Sequence, residues 1–247
     1  MSLTVGSLFA GVGGFDLAAE RVGFQVKWQV EIDDYCTQVL EKHWPHVRRY
    51  RDVRRVHGRC GTFNVLTQQW GCDQCLDAVD IICAGFPCND LSVLGGRAGL
   101  QGEHSGLWRD CARVVRGIRP RAVLVENTPS LLVNGMGDVL GDFSGMGYDA
   151  EWAVIPAAAV GSPQLRARLW ILAYPARVRD GASTDPVLSG WATAQRGAWW
   201  ETEPGVGRVA DGIPAQVDRL RTLGGAIVPQ VAEWIFRQIA EAEGVTV

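Results

Sequence analysis

Short apolar runs that read as strands alternate with helix-patterned segments from Thr4 to Ala173. This alternation confines the chain to an α/β fold, with a mostly parallel sheet flanked by crossover helices. Thr4–Phe9, Phe24–Val30, Val79–Ala84, Arg121–Val125 and Leu169–Ala173 are the strand candidates, and residues 33–43 and 105–118 carry a helical pattern. The periodicity stops at Tyr174. From there the chain is punctuated by Pro175, Pro186, Pro204 and Pro214, with Trp191, Trp199 and Trp200 between them, which predicts a small irregular region. A helical pattern returns over 218–241. The expected organisation is a main domain over 1–173, an irregular region over 174–214, and a segment over 215–247 that returns to the main domain.

Composition sets outer limits. A hydrophobic fraction of 47% can fill a core, and a mean hydropathy of +0.02 is that of an ordinary soluble chain. No apolar run approaches the roughly 20 residues of a membrane span, and no secretory pattern opens the sequence. The seven cysteines show no disulfide-framework spacing, which points to a reducing compartment, the cytoplasm. A net charge of −3 does not advertise a nucleic-acid binder, yet all but Lys27 and Lys42 of the 24 basic residues are arginine. They cluster at Arg48, Arg49, Arg51, Arg54, Arg55 and Arg59, and again from Arg109 to Arg121. Such clusters read either as a solvated face or as one wall of a DNA cleft.

Cys88 lies in Gly85-Phe86-Pro87-Cys88-Asn89, on the loop leaving the apolar strand that ends at Ala84. Ligands of open α/β sheets bind outside the carboxyl ends of the strands. A thiolate there can add to an electrophilic carbon; the plainer reading is a buried core thiol. The first strand runs into Phe9-Ala10-Gly11-Val12-Gly13-Gly14 and then a helical pattern. Glycines at such a turn let backbone approach a ligand. The spacing is not the Gly-x-Gly-x-x-Gly dinucleotide fingerprint, because Asp16 stands at the third glycine. Glu31 ends the second strand, where a carboxylate accepts from ribose hydroxyls, although Glu31-Ile32-Asp33-Asp34 also suits a helix start. Two further strand ends bring Glu126-Asn127 and Gln164-Leu165-Arg166-Ala167-Arg168, whose arginines would share one strand face.

With these segments in order, the chain resembles the DNA cytosine-5 methyltransferases from residue 5 to about 238. The resemblance rests on Phe9–Gly14, Glu31, Asp52, Pro87-Cys88, Glu126-Asn127, Gln164-x-Arg166-x-Arg168 and Leu223-Gly224-Gly225-Ala226-Ile227-Val228-Pro229. It implies a Rossmann-like S-adenosylmethionine-dependent fold whose 174–214 region reads the target in double-stranded DNA. It implies that Cys88 attacks carbon 6 of a flipped-out cytosine, making carbon 5 nucleophilic toward the sulfonium methyl. Glu126 is then the acid at the base's ring nitrogen and amine, Arg168 holds the base carbonyl, and Arg166 is more architectural. Phe9, Gly11, Gly13 and Gly14 would cradle the cofactor, Glu31 hold its ribose and Asp52 its adenine amine. Ile32, Pro87, Leu107, Gly225 and Ile227 would flank it. The glycine-rich stretch 95–102 would be a loop closing on DNA. A monomer working in a bacterial or phage-infected cell, in restriction protection or phage DNA modification, is the setting implied.

Three departures qualify this. The family usually has glutamine where Asn89 stands and asparagine where Gly225 stands, which reads either as drift or as a pocket for a bulkier sulfonium donor. The recognition region is short, predicting few base contacts and a short target. A transfer-RNA methyltransferase and an inactive DNA-binding relative remain alternatives. Separately, His57-x2-Cys60 and Cys72-x2-Cys75 have the ligand types of a structural zinc site, or belong to an irregular loop with free thiols.

Overall fold

The computed structural model describes residues 2–58, 63–64, 69–70, 72–87, 106–176, 186–193, 218, 222 and 224–247. Cys60, Cys88, Asn89, the 95–102 stretch, Leu223 and most of 174–214 lie outside them.

The chain builds β1 (Thr4–Leu8), α1 (Gly14–Arg21), β2 (Gln25–Val30), α2 (Asp34–His43) and β3 (Arg48–Tyr50) in close succession. A two-stranded ribbon follows, β4 (Phe63–Asn64) with β5 (Gln69–Trp70), and then β6 (Ile81–Ala84) and α3 (Leu107–Ile118). Next come β7 (Ala122–Asn127), α4 (Leu131–Asn134), α5 (Met136–Gly145), β8 (Tyr148–Pro156) and β9 (Ala167–Pro175). Helix α6 (Pro229–Ala242) completes the described chain, with proline in its first turn, where a missing N–H costs nothing.

The seven-stranded sheet has the order β3-β2-β1-β6-β7-β9-β8. Neighbours from β3 to β7 pair in parallel, and β9 runs antiparallel to both β7 and β8. Strand side chains alternate between faces, and the sequence uses that period throughout the centre. Ile82, Ala84, Val123, Val125, Leu169 and Ile171 face one core with Trp108 of α3 and Phe143 of α5. Ile81, Cys83, Leu124, Trp170 and Leu172 face the other, with Phe15 and Ala18 of α1 and Ile235 and Phe236 of α6. Each fully buried large apolar side chain contributes roughly 1.5–3 kcal/mol. The central strands are therefore apolar on both sides, as a sheet covered by helices on both faces requires.

The predicted helices at 33–43 and 105–118 form as Asp34–His43 and Leu107–Ile118. The Asp33 side chain caps α2 by accepting from the Cys36 N–H at 2.9 Å. The 218–241 pattern forms a continuous helix over Pro229–Ala242. No helix among the described residues is long and apolar enough to cross a membrane.

Candidate functional site

Strands β1, β2, β6 and β7 all end at one edge of the sheet, and a cavity of about 540 Å³ opens there. That size belongs to the usual range of small-molecule sites. Its lining joins Phe9, Gly11 and Gly14 to Glu31, Ile32 and Asp52 on one side, and to Pro87, Leu107, Glu126, Gly225 and Ile227 on the other. Residues more than 200 positions apart in the sequence thus share one wall.

The glycine loop is shaped by backbone strain and by Glu31. Phe9 adopts φ 55°, a left-handed conformation that costs a non-glycine residue roughly 1–2 kcal/mol. Gly11 and Gly13 share that region at φ 56° and 85°. Glu31 Oε2 accepts from the Gly11 N–H at 2.7 Å, and Oε1 accepts from the Asp33 N–H at 2.8 Å. One carboxylate therefore holds both the loop after β1 and the start of α2, so its helix-start role is real. Each oxygen keeps a further lone pair for a ligand hydroxyl. Gly13 stands behind the cavity wall rather than in it. A Cβ there would lie 2.3 Å from the Trp44 ring, and one on Gly14 would lie 2.6 Å from Ile227 Cγ1. Those glycines let the loop pack between Trp44 and the C-terminal segment.

Asp52, two residues beyond β3, is locked by Arg54, whose Nε donates to Oδ1 at 2.9 Å and whose Nη2 donates to Oδ2 at 2.8 Å. These hydrogen bonds hold the Asp52 carboxyl below its ordinary pKa. The cavity so far offers apolar faces at Phe9, Ile32 and Leu107, and two carboxylates as acceptors. That set fits the hydroxyls and exocyclic amine of an adenine nucleoside, so S-adenosylmethionine fits the residues present.

At the opposite end stands Glu126, the penultimate residue of β7, 7% exposed. Burial raises its pKa to about 7, although the Arg168 and Arg166 charges pull it down. Arg168 Nε approaches Glu126 Oε1 at 3.1 Å, but the alignment is not that of a hydrogen bond, and Oε1 has no hydrogen-bond partner among the described residues. A buried carboxyl near neutrality beside a guanidinium can donate a proton to a base nitrogen. A Cβ on Gly85 would lie 3.6 Å from Glu126 Oε2. Asn127 Nδ2 donates to the Phe86 carbonyl at 3.1 Å, tying the loop after β6 to β7. Pro87 of that loop lines the cavity, and Cys88, which follows it, lies outside the described residues. Arg166 sits just before β9 and donates through Nη2 to the Gly224 carbonyl at 2.9 Å and the Ala226 carbonyl at 2.5 Å. It thereby fastens the C-terminal segment to the site. A Cβ on Gly225 would meet nothing within 4 Å.

The expected zinc site is not assembled by the described residues. No group of three or more His, Cys, Asp or Glu side chains among them is set to hold a metal ion. Cys72 and Cys75 do meet, Sγ to Sγ at 3.4 Å, within one turn. His57 pairs with this turn through its backbone, its N–H donating to the Gln74 carbonyl at 2.9 Å and its carbonyl accepting from Leu76 N–H at 2.8 Å. The spacing brings these stretches of chain together, with His57 exposed and Cys60 outside the described residues.

Sequence reasoning overlooked a buried network behind the cavity. Asp16 Oδ1 accepts from Ser7 Oγ at 3.1 Å and Gln29 Nε2 at 3.0 Å, and Gln29 Oε1 accepts from Arg49 Nη1 at 3.1 Å. Burial pushes the Asp16 carboxyl up to about 6. It also overlooked Arg54, hidden in an arginine run. The available signals were an acid inside the apolar face of α1 and the Asp-x-Arg spacing.

Comparison with known proteins places the chain in a family. The C-5 cytosine-specific DNA methylase family matches residues 3–183. The chain is similar to the type II methyltransferase M2.BsuMI of Bacillus subtilis (strain 168), 30% identical over 179 residues, covering 69% of this chain and 42% of that protein. It is 29% identical over 171 residues to the type II methyltransferase M.HhaI of Haemophilus parahaemolyticus, covering 68% and 47% respectively. The matched region thus spans less than half the length of both relatives. Among solved structures, a protein described as a DNA modification methyltransferase encoded within a prophage (E. coli) aligns with a TM-score of 0.55 and 26% identity, over 70% of this chain and 47% of its own. The Dnmt2 methyltransferase of S. pombe shares the fold at a TM-score of 0.55, with 13% identity over 73% of this chain and 52% of its own.

Proposed function

The chain belongs to the C-5 cytosine-specific DNA methylase family, and on that premise we propose that it methylates carbon 5 of cytosine in double-stranded DNA, using S-adenosylmethionine. The observation that carries this reading is the meeting of two sites in one cavity. Carboxylates suited to an adenosine lie at one end, and a buried carboxyl with a pKa near 7 lies at the other, beside Pro87 of the Pro-Cys pair.

Bound S-adenosylmethionine supplies an electrophilic methyl group on sulfur. The residues of the chain do the rest. Glu31 orients the ribose and Asp52 the adenine amine, while Phe9, Ile32 and Leu107 exclude water from the faces of the cofactor. The target base leaves the duplex, since its reacting atoms are shielded within the stack. Cys88, as thiolate, adds to carbon 6, and Glu126 donates a hydrogen bond or proton at nitrogen 3, which drains electron density from the ring. Carbon 5 then takes the methyl group as its bond to sulfur breaks, which leaves S-adenosylhomocysteine. Loss of the carbon 5 proton to water expels the Cys88 thiolate, and any proton lent to nitrogen 3 returns to Glu126, which restores the aromatic ring. Arg168 holds the Glu126 carboxyl and the base carbonyl, and Arg166 keeps the segment around Gly225 against the site. With a short region at 174–214 the target is short, and the enzyme acts as a monomer in the cytoplasm, in protection or modification of DNA.

The test is covalent trapping on duplex DNA in which every cytosine is replaced by 5-fluorocytosine, which removes the need to know the target. Fluorine at carbon 5 blocks the final proton loss. Wild type with S-adenosylmethionine is expected to give a denaturation-resistant complex, and Cys88→Ser none. Equal trapping by the two proteins would remove Cys88 from the reaction.

A further inference from the structure

Among the described residues, Arg54 is drawn around both oxygens of Asp52. Its backbone N–H donates to Oδ1 at 3.0 Å, Nε spans Oδ1 and Oδ2 at 2.9 and 3.1 Å, and Nη2 donates to Oδ2 at 2.8 Å. This is a two-pronged guanidinium–carboxylate pair, which fixes orientation as well as charge. The arrangement is lopsided: the Arg54 side chain is 59% exposed and that of Asp52 only 16%. The arginine therefore grips the carboxylate from its more solvated side, while both residues remain in the cavity wall. The neighbouring Arg51 is engaged elsewhere, with the Ile32 carbonyl, Asp34 and Thr37. Left alone, an aspartate on a turn would rotate and be solvated, and would present an averaged rather than a fixed acceptor.

We propose that Arg54 is a positioning residue for the base of the cofactor. By holding Asp52 in one rotamer, it directs the acceptor capacity left on Oδ2 at the cavity and selects a 6-amino purine over a 6-oxo purine. The selection is chemical. An adenine amine donates to a fixed carboxylate, whereas the carbonyl of hypoxanthine places acceptor against acceptor. This inference rests on the reading of Asp52 as the acceptor for the adenine amine.

The experiment is calorimetric binding of S-adenosylhomocysteine and S-inosylhomocysteine to the full chain, which needs no DNA target and no turnover. Wild type is expected to prefer the adenosyl ligand by about tenfold or more, the scale of one charge-assisted hydrogen bond. Arg54→Met should cut that preference about fivefold and leave the inosyl affinity nearly unchanged, which also reports that the variant is folded. Arg54→Lys keeps the charge but not the planar fork, and should behave like Arg54→Met. Equal weakening of both ligands by Arg54→Met, an unchanged ratio, or full preference in Arg54→Lys would overturn the positioning role. Asp52→Ala separates the two layers. If it abolishes the preference while Arg54→Met does not, only the role of Arg54 falls; if it leaves the preference intact, the reading of Asp52 falls first.

Discussion

Glu126 carries a proton through much of the neutral range because its surroundings make ionisation costly. Burial raises its pKa to about 7, and the two arginines offset only part of that. A protonated carboxyl can donate to the ring nitrogen of cytosine, and an ionised one cannot. Binding of a flipped cytosine is therefore expected to weaken as pH rises through about 7. In Glu126→Gln, which has no proton to lose, affinity should be flat with pH, while the rate of methyl transfer falls by about a hundredfold or more. Titration of DNA affinity between pH 6 and 8, alongside single-turnover rates, checks both halves. Glu31 makes the complementary case. Its oxygens already hold the N–H groups of Gly11 and Asp33, so Glu31→Ala strips partners from the backbone as well as from the ribose. A loss of about 1–3 kcal/mol in S-adenosylhomocysteine affinity is expected by calorimetry, with DNA affinity little changed. An unchanged affinity would count against the whole cofactor assignment.

At the scale of elements, Asp16 pins the first turn of α1 to β1 and β2, through Ser7 and Gln29, and Arg49 continues the chain to the Leu40 and Trp44 carbonyls at the end of α2. The pKa of the Asp16 carboxyl is raised from 3.8 to about 6, mainly by burial. A raised carboxyl favours the folded state when protonated. Its contribution is complete below pH 3.8 and is lost as pH rises through 6. Asp16→Asn removes that titration, so the variant should gain on wild type by about 2 kcal/mol between pH 4 and pH 7. Urea denaturation at the two pH values measures it, and a constant difference would show that Asp16 does not titrate there. This network also marks where sequence reading stops. Phe9–Gly14, Glu31 and Glu126 were legible because each sits at the end of an apolar run, where strand geometry alone puts it at the sheet edge. Ser7, Asp16, Gln29 and Arg49 belong together only once β1, β2 and β3 are known to be neighbours. Arg54 was invisible for another reason: in a run of arginines, nothing distinguishes the one that folds back onto Asp52 from those facing water. The His57 and Cys72 spacing is a different case: among the described residues it assembles no group that could hold a metal, and Cys60 lies outside them.

Across the whole molecule, the sheet is closed into a site by its own distant end. Helix α6 packs on α1 in one core with Phe15, Ala18, Ile235 and Phe236, and just before α6 Ile227 reaches the cavity opposite the glycine loop. A methyl group at Gly14 would sit 2.6 Å from Ile227 Cγ1, so Gly14→Ala must push the two apart. Overpacking of this kind costs about 1–3 kcal/mol, here drawn mostly from the cofactor site. S-adenosylhomocysteine should bind about tenfold more weakly while the melting temperature of the ligand-free protein barely moves. Ile227→Ala in the same chain should restore the binding. If affinity survives Gly14→Ala alone, the C-terminal wall does not shape the site. The same closure sets an order in time. A ribosome releases the five parallel strands and their crossovers long before residues 222–227, so a growing chain can have its sheet in place and still lack the back of its cavity. Competence to hold a cofactor therefore arrives only once residues 222–227 have followed the sheet. A chain interrupted shortly before Thr222 also lacks α6, so it is expected to leave one face of its sheet uncovered as well as to bind no cofactor.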